Sequence, residues 1–270
     1  MKFHPSFFAL LLGAIASSPI SAAPLPQPGL ADLADLSLGA TSVVRATIDD
    51  AREIRGDRAP DLAPGFRRFL VRADVGAVLA APQSIPGEIR YLVDLPETDR
   101  GRAPRIEGSD VLLFLGPEDR PGEFRLAHKY GQQAWSAARE SDVRRLLQDR
   151  GALRGLGTER AEITSAFHVP GTLQGESESQ IFVRSSEGRP LSLVVLRRPG
   201  AEPRVTVATG DIIDPDAPPP ERGSLAALAL SCSLPDELPA GVASDADQQA
   251  ALRADFAAAK AALGTCDRNF

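Results

Sequence analysis

The chain has 270 residues, with 36 acidic against 30 basic side chains and a formal charge of −6. Arginine and aspartate are scattered along it without forming a basic run, which excludes nucleic acid as a partner and reads as a solvated mixed surface. The length suffices for one large or two small domains, and beyond the first residues no segment is long and apolar enough to span a bilayer.

A short basic start (Lys2, His4) leads into an apolar run from Phe7 to Ile15 and then the small residues Ser17, Ser18, Ser21, Ala22 and Ala23. This is the three-part pattern of a secretory signal peptide over residues 1–22. The apolar run is about half the roughly 20 residues that a membrane span requires, so cleavage is expected. A cut after Ala22 is preferred, because one after Ala23 would leave Pro24 first. No cysteine follows to carry a lipid. The expected location is therefore the periplasm or the secreted space, with no transmembrane segment once the signal is removed.

Residues 23–40 read as a proline-rich leader, with at best a short helix over Leu30–Leu38. From Ser42 the pattern becomes β. Runs of β-branched and large apolar residues (Ser42–Ile48, Phe69–Leu79, Ile89–Leu95, Val111–Leu115, Phe124–Ala127) are separated by proline and glycine breaks such as Pro86-Gly87, Gly116-Pro117 and Pro121-Gly122. Short strands without intervening helices predict a closed or nearly closed antiparallel barrel over 41–135, since closure removes exposed edges.

The segments Val43-Val44-Arg45-Ala46-Thr47, Phe69-Leu70-Val71 and Val111-Leu112-Leu113-Phe114-Leu115 give this part a pattern that resembles the OB-like, netrin-module type of β-barrel found in many secreted proteins. The whole chain resembles uncharacterised exported proteins of alphaproteobacteria, through Ala166-Phe167-His168-Val169-Pro170-Gly171, Gly175-Glu176-Ser177-Glu178-Ser179-Gln180-Ile181-Phe182 and Arg197-Arg198-Pro199-Gly200. The first resemblance implies a barrel fold. The second implies no activity.

After Trp135 a helix is predicted: Ser136 caps it, Val143, Leu146 and Leu147 share one face, and Gly151 stops it. A linker through Gly157 completes 136–157. The rest, 158–270, reads as an antiparallel meander of Ile163–Val169, Gln180–Arg184, Leu191–Arg197 and Arg204–Ile213, with turns at Glu187–Pro190 and Arg198–Pro203. Pro215–Pro220 breaks the chain. Leu228, Leu230, Cys232 and Leu234 alternate with small residues, which predicts a half-buried strand. The last element is a helix with a Ser244/Asp247 capping pair, a stripe of Leu252, Phe256, Ala259 and Leu263, and Gly264 as its stop. A Cys232–Cys266 disulfide is expected from an even cysteine count in an exported chain, and it would pin the end of that helix. The fold class is mainly β with some α: an OB-like barrel followed by a meander packed by a C-terminal helix.

The usual chemistries leave few traces. His128 and His168 stand alone, without metal-ligand spacing, so no metal or cofactor is expected. Asp214-x-Asp216 reads as a solvated turn because the other positions of a calcium loop are missing. Gly175-Glu176-Ser177-Glu178-Ser179 lacks the second glycine of a nucleophile elbow. The best polar constellation is Glu176 and Glu178 before one strand with Arg197 and Arg198 after the next. Paired acids could serve a hydrolase with His168, and the arginines could hold an anion, whereas the preferred reading is a surface ion-pair cluster. The leading expectation is a non-catalytic binding or protein-interaction module whose partner is another periplasmic or envelope component. A cell-envelope hydrolase with an acidic or histidine site and a structural envelope component are the alternatives.

Overall fold

The structure is a computed structural model that describes residues 26–148, 160–184, 190–209, 220–243 and 246–270. The expected signal peptide over 1–22, the expected 151–157 linker, Asp214 and Asp216, and the expected Ser244/Asp247 cap lie outside the described residues or side chains, as do most of the Glu187–Pro190 turn and the Pro215–Pro220 break. Fourteen elements follow in order: α1 (Leu30–Gly39), β1 (Ser42–Ile54), β2 (Phe66–Ala80), β3 (Glu88–Pro96), β4 (Asp110–Arg120), β5 (Glu123–Leu126), β6 (Gln132–Ala134), α2 (Ala137–Gln148), β7 (Glu162–Pro170), β8 (Ser177–Arg184), β9 (Pro190–Arg197), β10 (Arg204–Thr209), α3 (Leu225–Ser233) and α4 (Ala246–Leu263).

Strands β1–β5 form a closed five-stranded barrel in the order β1-β2-β3-β5-β4, with β4 pairing back to β1 and β6 added beside β4. Every pairing is antiparallel except β3 with β5. The two-residue period of β3 sends Ile89, Tyr91, Val93 and Leu95 inward and Arg90, Leu92 and Asp94 outward. The interior is filled by these and by Val44, Ile48, Phe69, Val71, Leu113, Leu115 and Phe124.

β4 explains how the barrel joins the rest. All residues from Val111 to Gly116 are buried. Val111, Leu113 and Leu115 fill the barrel, while Leu112 and Phe114 face a second core made with α1, α2, α3, α4 and the other sheet. A strand covered on both faces must be a continuous apolar run, as this one is. The second sheet is an antiparallel meander in the order β10-β9-β8-β7. It sends Ile181, Val183, Leu191, Leu193 and Val195 into the second core, where Leu252, Phe256, Ala259 and Leu263 of α4 cover them.

One expectation requires correction. The Leu228–Leu234 segment is helical, not a strand: α3 is capped by Ser224, whose side chain accepts from the Ala227 N–H at 3.2 Å. Ala227 through Ser231 are all buried, so apolar alternation was one subset of an element buried all round, and its alanines favour helix. The short helix allowed over Leu30–Leu38 is present as α1, and its Ala31, Leu33, Ala34 and Leu36 are core residues. β6 was missed because its Gln132-Gln133 sequence carries no apolar signal.

Cys232 and Cys266 form a disulfide across a sequence separation of 34, just beyond the Gly264 stop (φ +94°). Beyond it, residues 267–270 lie against α1. The buried Asp32 carboxylate accepts from the N–H groups of Gly29 (2.7 Å) and Asn269 (3.0 Å), and Arg268 pairs with Asp35 at 2.6 Å. A Cβ at Gly29 would come within 2.2 Å of the Asp267 carbonyl oxygen, so only glycine permits this approach. Replacing both cysteines with serine is expected to lower stability by about 3–4 kcal/mol, read as a shift in urea midpoint without a change in fold.

A second tie joins α2 to the barrel. The Glu140 carboxylate accepts from Trp135 Nε1 at 2.6 Å and from Arg144 at 2.7 Å, with Arg45 of β1 at 3.4 Å. The Trp135 N–H first, and then Arg144, hold the Glu140 carboxyl below its ordinary value of 4.5. Because the folded value is the lower one, this contribution is present above the unfolded value and is lost as pH falls through the folded value. Glu140→Gln should therefore cost up to about 1 kcal/mol at about pH 7 and almost nothing at about pH 2, measured by paired denaturation curves.

Candidate functional site

Of the residues nominated by sequence, His168 and Arg197 meet at a buried acid that was not nominated. His168 on β7 lies opposite Ser179 on β8, and Ser177, two residues before Ser179, lies opposite Arg197 on β9. All three of His168, Ser179 and Arg197 face α4, which crosses the sheet and delivers Asp255 to them. Asp255 is 1% exposed and Ser179 is fully buried. The Ser179 hydroxyl donates to Asp255 Oδ2 at 2.5 Å, and Arg197 Nε donates to Oδ1 at 2.5 Å. His168 Nδ1 lies 2.9 Å from Ser179 Oγ and 3.5 Å from Asp255 Oδ2.

The proton inventory decides what this cluster can do. A serine hydroxyl has one proton, and here it goes to the carboxylate. The bond between His168 and Ser179 must then use the Nδ1 proton and a lone pair of the serine oxygen. A general base needs the reverse arrangement, with its lone pair aimed at the hydroxyl proton. The geometry suits a compensated buried charge that locks α4 to three strands.

Glu176, Glu178 and Arg198 stay outside this cluster. Glu178 sits on the opposite face of β8 from Ser179 and accepts from Gln180 at 2.7 Å. Glu176 folds back over Gly171 and accepts from the Leu173 N–H at 3.3 Å. Arg198 is exposed in the turn after β9. The meander does bring the two strand ends together, but alternation turns Glu178 and Arg197 to opposite faces. Among the described residues, no group of three or more His, Cys, Asp or Glu side chains could hold a metal ion.

The larger site lies on the barrel. Leu70 of β2 and Leu92 of β3 are paired neighbours on the outer face, 41% and 49% exposed. They form part of a groove of about 740 Å³ that continues to Phe124 and Leu126 of β5. Ion pairs edge it. Arg68 grips Asp94 through Nε and Nη2 at 2.7 and 2.8 Å, and Arg125 grips Asp119 at 2.6 and 2.9 Å. Arg125 holds the Asp119 carboxyl below its ordinary range, chiefly through that hydrogen bond. Sequence reasoning passed over these residues because isolated exposed leucines are ordinary, and only the β2–β3 register puts them side by side.

The groove's far wall, residues 126–130, is fixed from behind. Ala127 N–H donates to the Phe114 carbonyl at 2.8 Å, and Phe114 N–H donates to Gly131 at 2.8 Å. The Phe270 ring lies 4.4 Å from Tyr130 and 5.9 Å from His128, centre to centre. Compared with known protein families and with curated proteins, the chain gives no match. Among the described residues, no helix is long and apolar enough to cross a membrane.

Removing one partner from a buried, hydrogen-bonded charge leaves the other groups uncompensated. Asp255→Ala is expected to destabilise the protein by about 3–5 kcal/mol in urea denaturation. Glu178→Ala, on an open sheet face, should change stability by no more than about 0.5 kcal/mol.

Proposed function

We propose that this protein is an exported, non-catalytic binding module of the cell envelope and that the outer β2–β3 face of its barrel is the binding surface. The observation that carries the reading is the groove beside Leu70 and Leu92: two large apolar side chains held on a sheet and edged by the matched ion pairs Arg68–Asp94 and Arg125–Asp119. An apolar floor with a polar rim is the anatomy of an interaction site, and charge matching within the rim limits the desolvation cost of covering it. Export is supported by the amino-terminal signal pattern and is compatible with the disulfide. The likeness to exported alphaproteobacterial proteins points to the same compartment. A hydrolase built on His168 would need a lone pair aimed at the Ser179 proton, and the hydrogen-bond network gives Nδ1 the proton instead.

A photo-reactive residue at position 92 should capture one dominant species in the native envelope. The same probe at Leu173, an exposed apolar position in the turn between β7 and β8, should not. Leu70→Asp with Leu92→Asp should abolish the capture while leaving the urea midpoint within about 0.5 kcal/mol of the parent. Equal capture from both positions, or reproducible turnover of an envelope substrate, would overturn the reading.

A further inference from the structure

The groove coincides with a defect in the barrel. β3 and β5 are the one parallel pair, and their ladder has a single rung, Arg90 with Glu123, where the Arg90 N–H donates to the Gly122 carbonyl at 2.8 Å. Backbone direction alternates along a strand, so Leu92 and Asp94 point their N–H and C=O groups to the same side as Arg90. β5 does not pair with them. Past Arg90 the two strands make no further rung, and the groove is lined there by Tyr91, Leu92 and Val93 of β3 and by Phe124 and Leu126 of β5. The opposite edge of β3 is occupied in full by β2, from Glu88 to Pro96.

Resting on the binding-module reading above, we infer that this seam accepts an extended peptide segment of another exported protein, which pairs with β3 as an added strand and completes the barrel wall. Two features select a polypeptide strand. The groups at Leu92 and Asp94 repeat at about 6.7 Å, the two-residue spacing of a strand. A strand placed there alternates its side chains between the apolar wall at Phe124 and Leu126 and the outer face at Leu70 and Leu92, so register supplies specificity while main-chain bonds supply affinity. The charges then choose among peptides. Asp94 and Asp119 are each gripped by an arginine, and Glu123 lies 3.7 Å from Arg120. Two cations are less fully matched: Arg90, 3.6 Å from Glu88 and 55% exposed, and Lys129, whose ammonium sits over the Tyr130 ring at 4.9 Å. The complementary segment alternates apolar residues with Asp or Glu.

The test uses the full chain and a displayed library of random twelve-residue peptides. The expected selection is a consensus of alternating apolar and acidic residues. Hydrogen exchange with a selected peptide should slow at the Leu92 and Asp94 amides by tenfold or more. N-methylation of the peptide amides that face β3 should weaken binding at least tenfold, whereas methylation of the intervening amides should not. Arg90→Glu with Lys129→Glu, both on exposed side chains, should weaken it to a similar extent with the urea midpoint unchanged.

Peptides that bind in the groove without protecting those amides, or that tolerate methylation at every position, overturn strand addition and leave the binding module standing. Protection of Leu92 and Asp94 in a peptide-free, concentration-dependent dimer assigns the seam to a second copy and overturns the peptide partner. If no peptide is enriched over a Leu70→Asp, Leu92→Asp control but an acidic oligosaccharide protects the groove, the ligand class is wrong. If neither binds and position 92 captures nothing in the envelope, both readings fall.

Discussion

A carboxylate withdrawn from water must be compensated where it lies, and the compensation of Asp255 fixes the position of α4. The donors come from β8 and β9, with the His168 ring of β7 beside them, so the helix cannot rotate or slide along the sheet without stranding a charge. The apolar stripe of Leu252, Phe256, Ala259 and Leu263 supplies most of the burial, but such contacts are non-directional and would tolerate small shifts. The polar cluster makes the seating unique. From there the constraint propagates: α4 ends at Gly264, Cys266 is bridged to α3, and residues 267–270 reach Asp32 and Asp35 on α1. Phe270 then rests on His128 and Tyr130 of the barrel. One line of contacts thus runs from the meander to the wall of the groove.

The barrel obeys the opposite logic at its seam. Closure of a small sheet removes edges, and four of the five junctions here are antiparallel ladders. The fifth fails for a local reason. The β4–β5 connection is a tight turn at Pro121-Gly122, and β4 changes register against β5 between Leu115 and Glu118 and again before Arg120. β5 is only four residues long and makes a single rung with β3. The interior survives because Phe124 and Tyr91 close it from the two sides, with the Tyr91 hydroxyl donating to Gln132 at 2.7 Å. A barrel packed inside and unpaired along part of one strand holds its shape while leaving backbone groups available.

How much of this was legible in the sequence follows from which forces are local. The barrel strands were visible because inward and outward positions alternate, as in Glu88–Pro96, and the apolar run of β4 was visible because both its faces are covered. The capacity of Cys232 to reach Cys266 was legible from the even cysteine count and the expectation of export, even though Cys232 proved to lie on a helix. The α3 error has a plain cause: an element buried on every side has no period to read, and alternating leucines in Leu228–Leu234 fitted a strand as well as a helix. The polar cluster was half legible. His168 stood out as a lone histidine and Arg197 as one of the Arg197–Arg198 pair after a strand, but Ser179 and Asp255 are separated by 76 residues and meet only through tertiary packing. One local sign existed. Asp255 falls three residues after Leu252 and directly before Phe256, inside the apolar stripe of α4, where an acid costs free energy unless a partner waits for it.

The barrel groove was illegible for the same physical reason. Leu70 and Leu92 are each unexceptional in their own strands, and their meaning depends on a register that the sequence specifies only through the inward residues Phe69, Val71, Tyr91 and Val93. Burial fixes that register strongly, because a slip of one residue would turn those four side chains outward. The outer positions are therefore passengers of the core, placed with its accuracy but free of its packing demands. Two large apolar side chains kept in such positions lower solubility and contribute little to folding, so their presence as neighbours beside an unpaired strand edge is better explained by what they contact than by what they stabilise.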